Sequence, residues 1–307
     1  MAITTRSTTL AAASSRADLV VRDLTGLSRS AVRGLFDHGC VTMAEVTLGA
    51  GAPVPAGATV VVTWDMARRY KEKPSAQSSL AFTIVFEDQH LIVVDKPAGV
   101  LSVPTPRGET DTLFDEVARY VNRSPRMLKK VTVVQRLDRD TSGLLVFAKN
   151  KVVGARLQAQ LTARKPEREY LAIVAGHLED AAGTFRSYLR TTGELHEEST
   201  DDPLQGKEAV THYQLVETVR QATCVRVHLE TGRRNQIRVH FAEAGHPVLG
   251  DTHYAPDQAA HPLWKARRLA LHAAGLGFVH PMTGAHLRFA SSLPQCFVDF
   301  LARARST

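Results

Sequence analysis

Residues 133–150 read VVQRLDRDTSGLLVFAKN. Apolar, β-prone residues stand at both ends, and between them Asp138 and Asp140 sit among Arg136 and Arg139. Asp, Thr, Ser and Gly satisfy their own backbone in bends, so the stretch predicts a turn between two strands. Spacing alone leaves two readings open. Both aspartates shape the turn, or one of them performs a reaction.

Working outward, charge is the first clue. The chain of 307 residues holds 38 Lys+Arg against 31 Asp+Glu, a net charge of +7. From Arg119 to Lys151 nine basic residues stand against two acidic ones, so this segment carries the whole net charge and the remainder is neutral. A basic stretch around a polar turn is what phosphates attract, so the expected partner is a polyanion. Cys40, Cys224 and Cys296 lie far apart without a CxxC pair, which argues against a disulfide framework or a zinc knuckle and for a reducing cytoplasm. No stretch has the roughly 18 apolar residues of a membrane span, so no membrane partner is expected. The first twenty residues lack an apolar core and read as a flexible tail, with a transit peptide as the alternative.

A chain this long divides into two domains, because single cores tend to split beyond about 250 residues. In the segment 24–64, Ser28 is a candidate helix N-cap, Val32, Leu35 and Phe36 follow at helical spacing, and Gly39 is a stop. Two β-rich runs, CVTMAEV and TVVVTW, come next. This segment resembles the S4 domain, a small RNA-binding module, with Met43-Ala44-Glu45 where that family usually has Val-Asn-Gly. The resemblance implies RNA contacts from Arg29 and Arg33. A polar stretch over 68–80 reads as a linker, which puts the S4-like module with its tail at 1–67 and a second domain at 81–307. There the pattern is mixed: strands at FTIVFE and LIVVDK, a helix at TLFDEVARYV, the turn above, a helix at VVGARLQAQLTA, strands at REYLAIVAG, VTHYQLVETV and TCVRVHLE, and a helix at RNQIRVHFAEAG. Without a regular βαβ alternation the fold class is α+β with a mixed, largely antiparallel sheet.

QRLDRDTSGLL resembles the signature of the RluA-type RNA pseudouridine synthases, and VVDKPAG, REYLAIVAG, TGRRNQIRVHFAEAGHPVLGD and RRLALHAAGLGFVHPMTG agree with further blocks of that family in order and spacing. The likeness covers about residues 82–300. It implies an isomerase that breaks the N1–C1′ bond of a uridine flipped out of RNA, turns the base and joins C5 to the same carbon. By the same likeness Asp138 is the catalytic carboxylate, as nucleophile or as base toward the 2′ proton. Arg238 is its partner, and Tyr170 stacks on the base and assists at C5. Substrate contacts fall to Arg136, Arg139, Thr141, Arg233 and Gln236, with Leu271 as the apolar wall below the base. Gln135 stands where the family usually has His, and Arg234-Asn235 replace the common Thr-His or Ser-His.

The histidines late in the chain form no HExxH or similar pairing, and the isomerisation calls for no metal and no cofactor. S4-like modules accompany members that act on ribosomal RNA, here of the 23S type, which makes this the expected substrate and transfer RNA the alternative. A protein that keeps the fold and RNA binding without the reaction is the second class of reading. A glycoside hydrolase using Asp138 and Asp140 is the third, disfavoured because two arginines would keep both carboxylates ionised. The enzyme is expected to act as a monomer, with no obligate protein partner.

Overall fold

The computed structural model describes residues 3–12, 16–65, 70, 82–105, 109, 111–123, 129–164, 166–193 and 196–305. Its N-terminal module runs β1 (Ile3–Thr9), α1 (Ala17–Thr25), α2 (Arg29–Asp37), β2 (Val41–Met43), β3 (Val46–Thr47) and β4 (Thr59–Asp65), with the strands in the order β1-β4-β2-β3. The Ser28 side chain accepts from the Ala31 N–H at 3.3 Å, as its N-cap position predicts. Val32, Leu35 and Phe36 bury one face of α2 against Val21, Val41, Val60 and Val62. The run CVTMAEV is two short strands around a turn at Ala44 and Glu45, both with positive φ.

The expected N-terminal tail is instead an edge strand, since residues 3–9 pair antiparallel with β4. Cross-strand threonines replace an apolar alternation there: Thr5 meets Thr63 and Thr9 meets Thr59 through their hydroxyls, at 3.2 and 2.8 Å. Of the linker expected over 68–80, only Tyr70 belongs to the described residues. Its hydroxyl accepts from the Asp65 N–H at 2.9 Å. The module leans on the next domain where Gly39 abuts the Phe86 ring; a Cβ at Gly39 would stand 3.3 Å from it.

The larger domain continues with β5 (Thr83–Glu87), β6 (Leu91–Lys96), α3 (Leu113–Val121), β7 (Thr132–Val133), β8 (Ser142–Ala148), α4 (Lys151–Thr162), β9 (Glu167–Ala175), β10 (Ala182–Thr192), β11 (His196–Thr200), β12 (Lys207–Val219), β13 (Ala222–Leu229), α5 (Gln236–Glu243), α6 (Pro256–Ala259), β14 (Leu271–Val279), β15 (His286–Ala290) and α7 (Gln295–Arg305). One sheet of 11 strands gathers all of these strands, in the order β11-β10-β12-β13-β9-β14-β8-β6-β5 with β15 and β7 added at β14 and β8. Every pairing is antiparallel except β14 with β8. β8 is buried along its whole length, which explains its continuous apolar run GLLVFA. Phe147, Leu145, Ile173, Val225 and Phe241 join the core that lies behind the site.

Candidate active site

The parallel contact of β8 with β14 fixes where the polar turn emerges. Gly143 has φ +113°, and a Cβ there would fall 2.2 Å from the Ala273 carbonyl oxygen, so only glycine lets the strands meet. Ahead of Gly143, the Thr141 N–H donates to the Asp138 carbonyl at 3.2 Å and closes the turn. Two groups from the segment after β6 pin its other side. The Ser102 hydroxyl donates to the Leu137 carbonyl at 2.6 Å and accepts from the Leu137 N–H at 3.0 Å. Lys96, wholly buried, donates from Nζ to the carbonyls of Pro97, Val100 and Arg139 at 2.9, 2.7 and 2.8 Å. Burial pulls the Lys96 pKa down to about 7, against the opposing fields of Asp138 and Asp140. Asp138 is thus flanked on both sides by anchored backbone.

The turn faces a cleft of about 1030 Å³ lined by Asp138, Arg136, Arg139, Tyr170, Arg233 and Arg238 among others. Arg238, on the first turn of α5, brings Nη1 to 3.5 Å from Asp138 Oδ2. Its other edge is gripped by Asp251, whose side chain has no exposed surface: Nε and Nη2 donate to the two carboxylate oxygens at 2.6 and 2.8 Å. Asp251 Oδ1 also accepts from the N–H groups of His253 and Tyr254. Burial alone would raise the Asp251 carboxyl, but the Arg238 pairing outweighs it and holds the pKa below the usual carboxylate range. Burial likewise opposes the Arg238 charge, yet Asp251 and Asp138 raise its pKa overall, so the guanidinium stays charged.

Tyr170 comes from β9, paired with Val227 of β13, and is 9% exposed at the cleft floor. Burial pushes its phenol up; the Arg168 charge works against this and Asp138 with it, which keeps the hydroxyl protonated at neutral pH. Arg168, two residues earlier on the same strand, donates from Nη2 to the carbonyls of Leu229 and Glu230, both at 3.1 Å. Three segments far apart in sequence therefore deliver a carboxylate, a guanidinium and a phenol to one cleft.

Three expected substrate contacts do not reach it. Thr141 is buried as part of the turn and does not line the cleft. Gln236 is buried and fully engaged, accepting from the Thr231 hydroxyl and the Arg233 N–H and donating to Val210 and Thr211. It shapes the loop that carries Arg233. Leu271 packs in the core cluster that also holds Tyr170, as does Leu269, and neither lines the cleft. Asp140 does not line the cleft, so a paired-carboxylate arrangement with Asp138 is disfavoured. Arg29 and Arg33 line a separate hollow of about 220 Å³ in the N-terminal module, together with Arg16, Asp18 and Arg22.

Lys96, Ser102, Asp251 and Arg168 were not singled out from the sequence as site residues. Lys96 had a visible signal, a lysine before proline at the end of an apolar strand, LIVVDKP. Asp251 closes the family block TGRRNQIRVHFAEAGHPVLGD, but its pairing with Arg238, 13 residues away, shows only once α5 and the loop after it are folded.

An antiparallel sheet whose arginine-lined cleft gathers these three groups suits an enzyme acting on a base of RNA. Residues 90–243 match the family described as RNA pseudouridylate synthase. The ribosomal large subunit pseudouridine synthase D of Zymomonas mobilis is 34% identical over 281 residues, covering 89% of this chain and 88% of that protein. The protein of the same name from Pseudomonas aeruginosa is 34% identical over 287 residues, covering 91% and 88%. Among solved structures, human RNA pseudouridylate synthase domain containing 4 shares the fold, with a TM-score of 0.59 at 23% identity over 73% of this chain and 93% of that one. The chain belongs to the RNA pseudouridylate synthase family, and its reaction is the isomerisation of uridine in RNA to pseudouridine.

Proposed function

We propose that this enzyme modifies uridine in large-subunit ribosomal RNA, with Asp138 as the catalytic carboxylate. The two bacterial relatives, both ribosomal large subunit pseudouridine synthases, support the substrate. The single observation that carries the residue assignment is the convergence of Asp138, Arg238 and Tyr170 on one cleft rimmed by Arg136, Arg139 and Arg233.

In this reading the arginines hold phosphates on either side of a uridine turned out of the RNA, and the base enters toward Tyr170. Asp138 forms a bond at the sugar or base, or takes the 2′ proton, while the N1–C1′ bond breaks. The base turns, C5 bonds to C1′, the bond to Asp138 breaks or the 2′ proton returns from it, the C5 proton leaves with the help of the Tyr170 hydroxyl, and N1 ends protonated. Atoms and electrons balance within the nucleotide, so the chemistry requires neither redox partner nor metal. Arg238 stays charged beside Asp138 and orients its carboxylate through the 3.5 Å contact from Nη1.

The N-terminal module acts as an S4-like RNA grip. The Ser28-capped helix, the short hairpin and the four arginines around one hollow support this. The wide spacing of Cys40, Cys224 and Cys296 in the sequence, without a CxxC pair, supports a cytoplasmic location. Mapping pseudouridine in ribosomal and transfer RNA from cells with and without the gene tests the substrate. Loss confined to large-subunit ribosomal RNA is the expected result; loss confined to transfer RNA would refute it.

A further inference from the structure

Asn235 occupies the N-cap of α5, one turn before Arg238, and two features of it run against local stability. Its backbone is left-handed, φ 52° and ψ 14°, a region that residues with a side chain seldom adopt, Asn more readily than most. Its side chain also makes no capping hydrogen bond to the first turn, although Asn at this position normally does so.

The amide is used elsewhere. Oδ1 accepts from Arg238 Nη1 at 3.0 Å, and Nδ2 donates to the Tyr254 hydroxyl at 3.1 Å. The orientation is fixed by chemistry, because a guanidinium offers donors only and the opposite amide orientation would set donor against donor. Tyr254 is itself held, accepting from the Glu197 N–H at 3.1 Å, and its ring lies 5.0 Å from the Arg238 guanidinium carbon. Asn235 therefore bridges a fixed ring to the one Arg238 nitrogen that Asp251 leaves free.

We propose that Asn235 is a positioning residue for the isomerisation. Asp251 fixes the Nε and Nη2 edge, and a bidentate pair alone still permits a hinge about the line joining the two groups. Asn235 supplies the third point. It takes one Nη1 hydrogen and leaves the other directed at Asp138, holding the guanidinium at 3.5 Å so that it does not close on the carboxylate as a full ion pair. Asp138 thereby keeps an oxygen available for the nucleotide. This inference rests on the assignment of Asp138 made above.

The test uses the full-length protein with Asn235→Gly, which removes the amide without adding left-handed strain. With ribosomal RNA fragments under single-turnover conditions and saturating enzyme, the rate constant is expected to fall about 10-fold, while the RNA dissociation constant stays within about twofold. Asn235→His should recover the rate to within about threefold, because histidine tolerates this backbone and neutral imidazole pairs one acceptor with one donor. An unchanged rate in Asn235→Gly would overturn the proposal. So would a loss expressed in RNA binding or in the melting midpoint, or one that Asn235→His fails to recover. Asp138→Asn in the same assay separates the layers: if it stays active, the underlying assignment has failed, whatever Asn235 does.

Discussion

Arg238 grips Asp251 through two hydrogen bonds of 2.6 and 2.8 Å and touches Asp138 through one of 3.5 Å. The arginine is thus anchored to a residue outside the cleft lining and offered to the one inside it. An arginine held by Asp138 alone would have to move whenever Asp138 engaged the nucleotide.

Removing that anchor leaves a charge 12% exposed without its main partner. Asp251→Ala should cost about 3–5 kcal/mol of folding stability, as broken buried pairs do. Urea unfolding at neutral pH measures it. The Asp251 pKa is lower in the folded protein than in the unfolded chain, so the stabilisation is present above about pH 4 and is lost as pH falls further. Asp251→Asn should flatten that acid limb.

Two buried histidines set a second, milder pH dependence. His240 bonds to the Ser187 and Thr211 hydroxyls and His272 to the Ser142 hydroxyl, and burial depresses both pKa values to about 4 from 6.5. The unfolded chain takes up protons from about pH 6.5 downward while the fold does not until about 4, so stability is full above this window and declines through it. Each histidine contributes at most about 3 kcal/mol to the decline. Unfolding free energies of wild type and His240→Gln across pH 4–7 should show the smaller slope in the variant.

Arg238→Ala and Arg139→Ala remove the same charge from the same cleft, yet should differ in kind. Arg238 is partly buried beside Asp138, whereas Arg139 is exposed at the rim, among other arginines that share the phosphate load. The first should lower the single-turnover rate by about 100-fold or more, and the second should mainly weaken RNA binding, by about threefold. Similar modest losses in both would reduce Arg238 to another phosphate contact.

How much was readable in advance follows the range of the interactions. α2 and α3 were legible because cap and apolar face are local: Ser28 caps one, and Thr112 with Asp115 forms a capping box on the other. The Asp138 turn was legible for the same reason. β1 and the hairpin of β10 and β11 were not, since half-exposed strands rich in Thr, Ser and charge carry no clean alternation. Among site residues, Asp138, Tyr170 and Arg238 followed from the family likeness and meet in space. Thr141 and Gln236 show the limit of a motif, because a polar residue in it looks the same whether it faces the cleft or the interior, and here both side chains are buried, Gln236 bonded to its own loop and the Thr141 hydroxyl without a hydrogen-bond partner among the described residues. The Asp251 and Asn235 supports of Arg238 required three dimensions.

The most direct test of the account is pseudouridine formation by Asp138→Asn under single-turnover conditions, with RNA binding measured on the same preparation and Asp140→Asn alongside. The substitution keeps the side-chain shape and removes its nucleophilic and basic character. The account predicts no conversion by Asp138→Asn, a dissociation constant within about threefold of wild type, and most of the activity retained by Asp140→Asn, because Asp140 lies outside the cleft lining. Conversion by Asp138→Asn at about a tenth of the wild-type rate or faster, or equal loss in both variants, would contradict it.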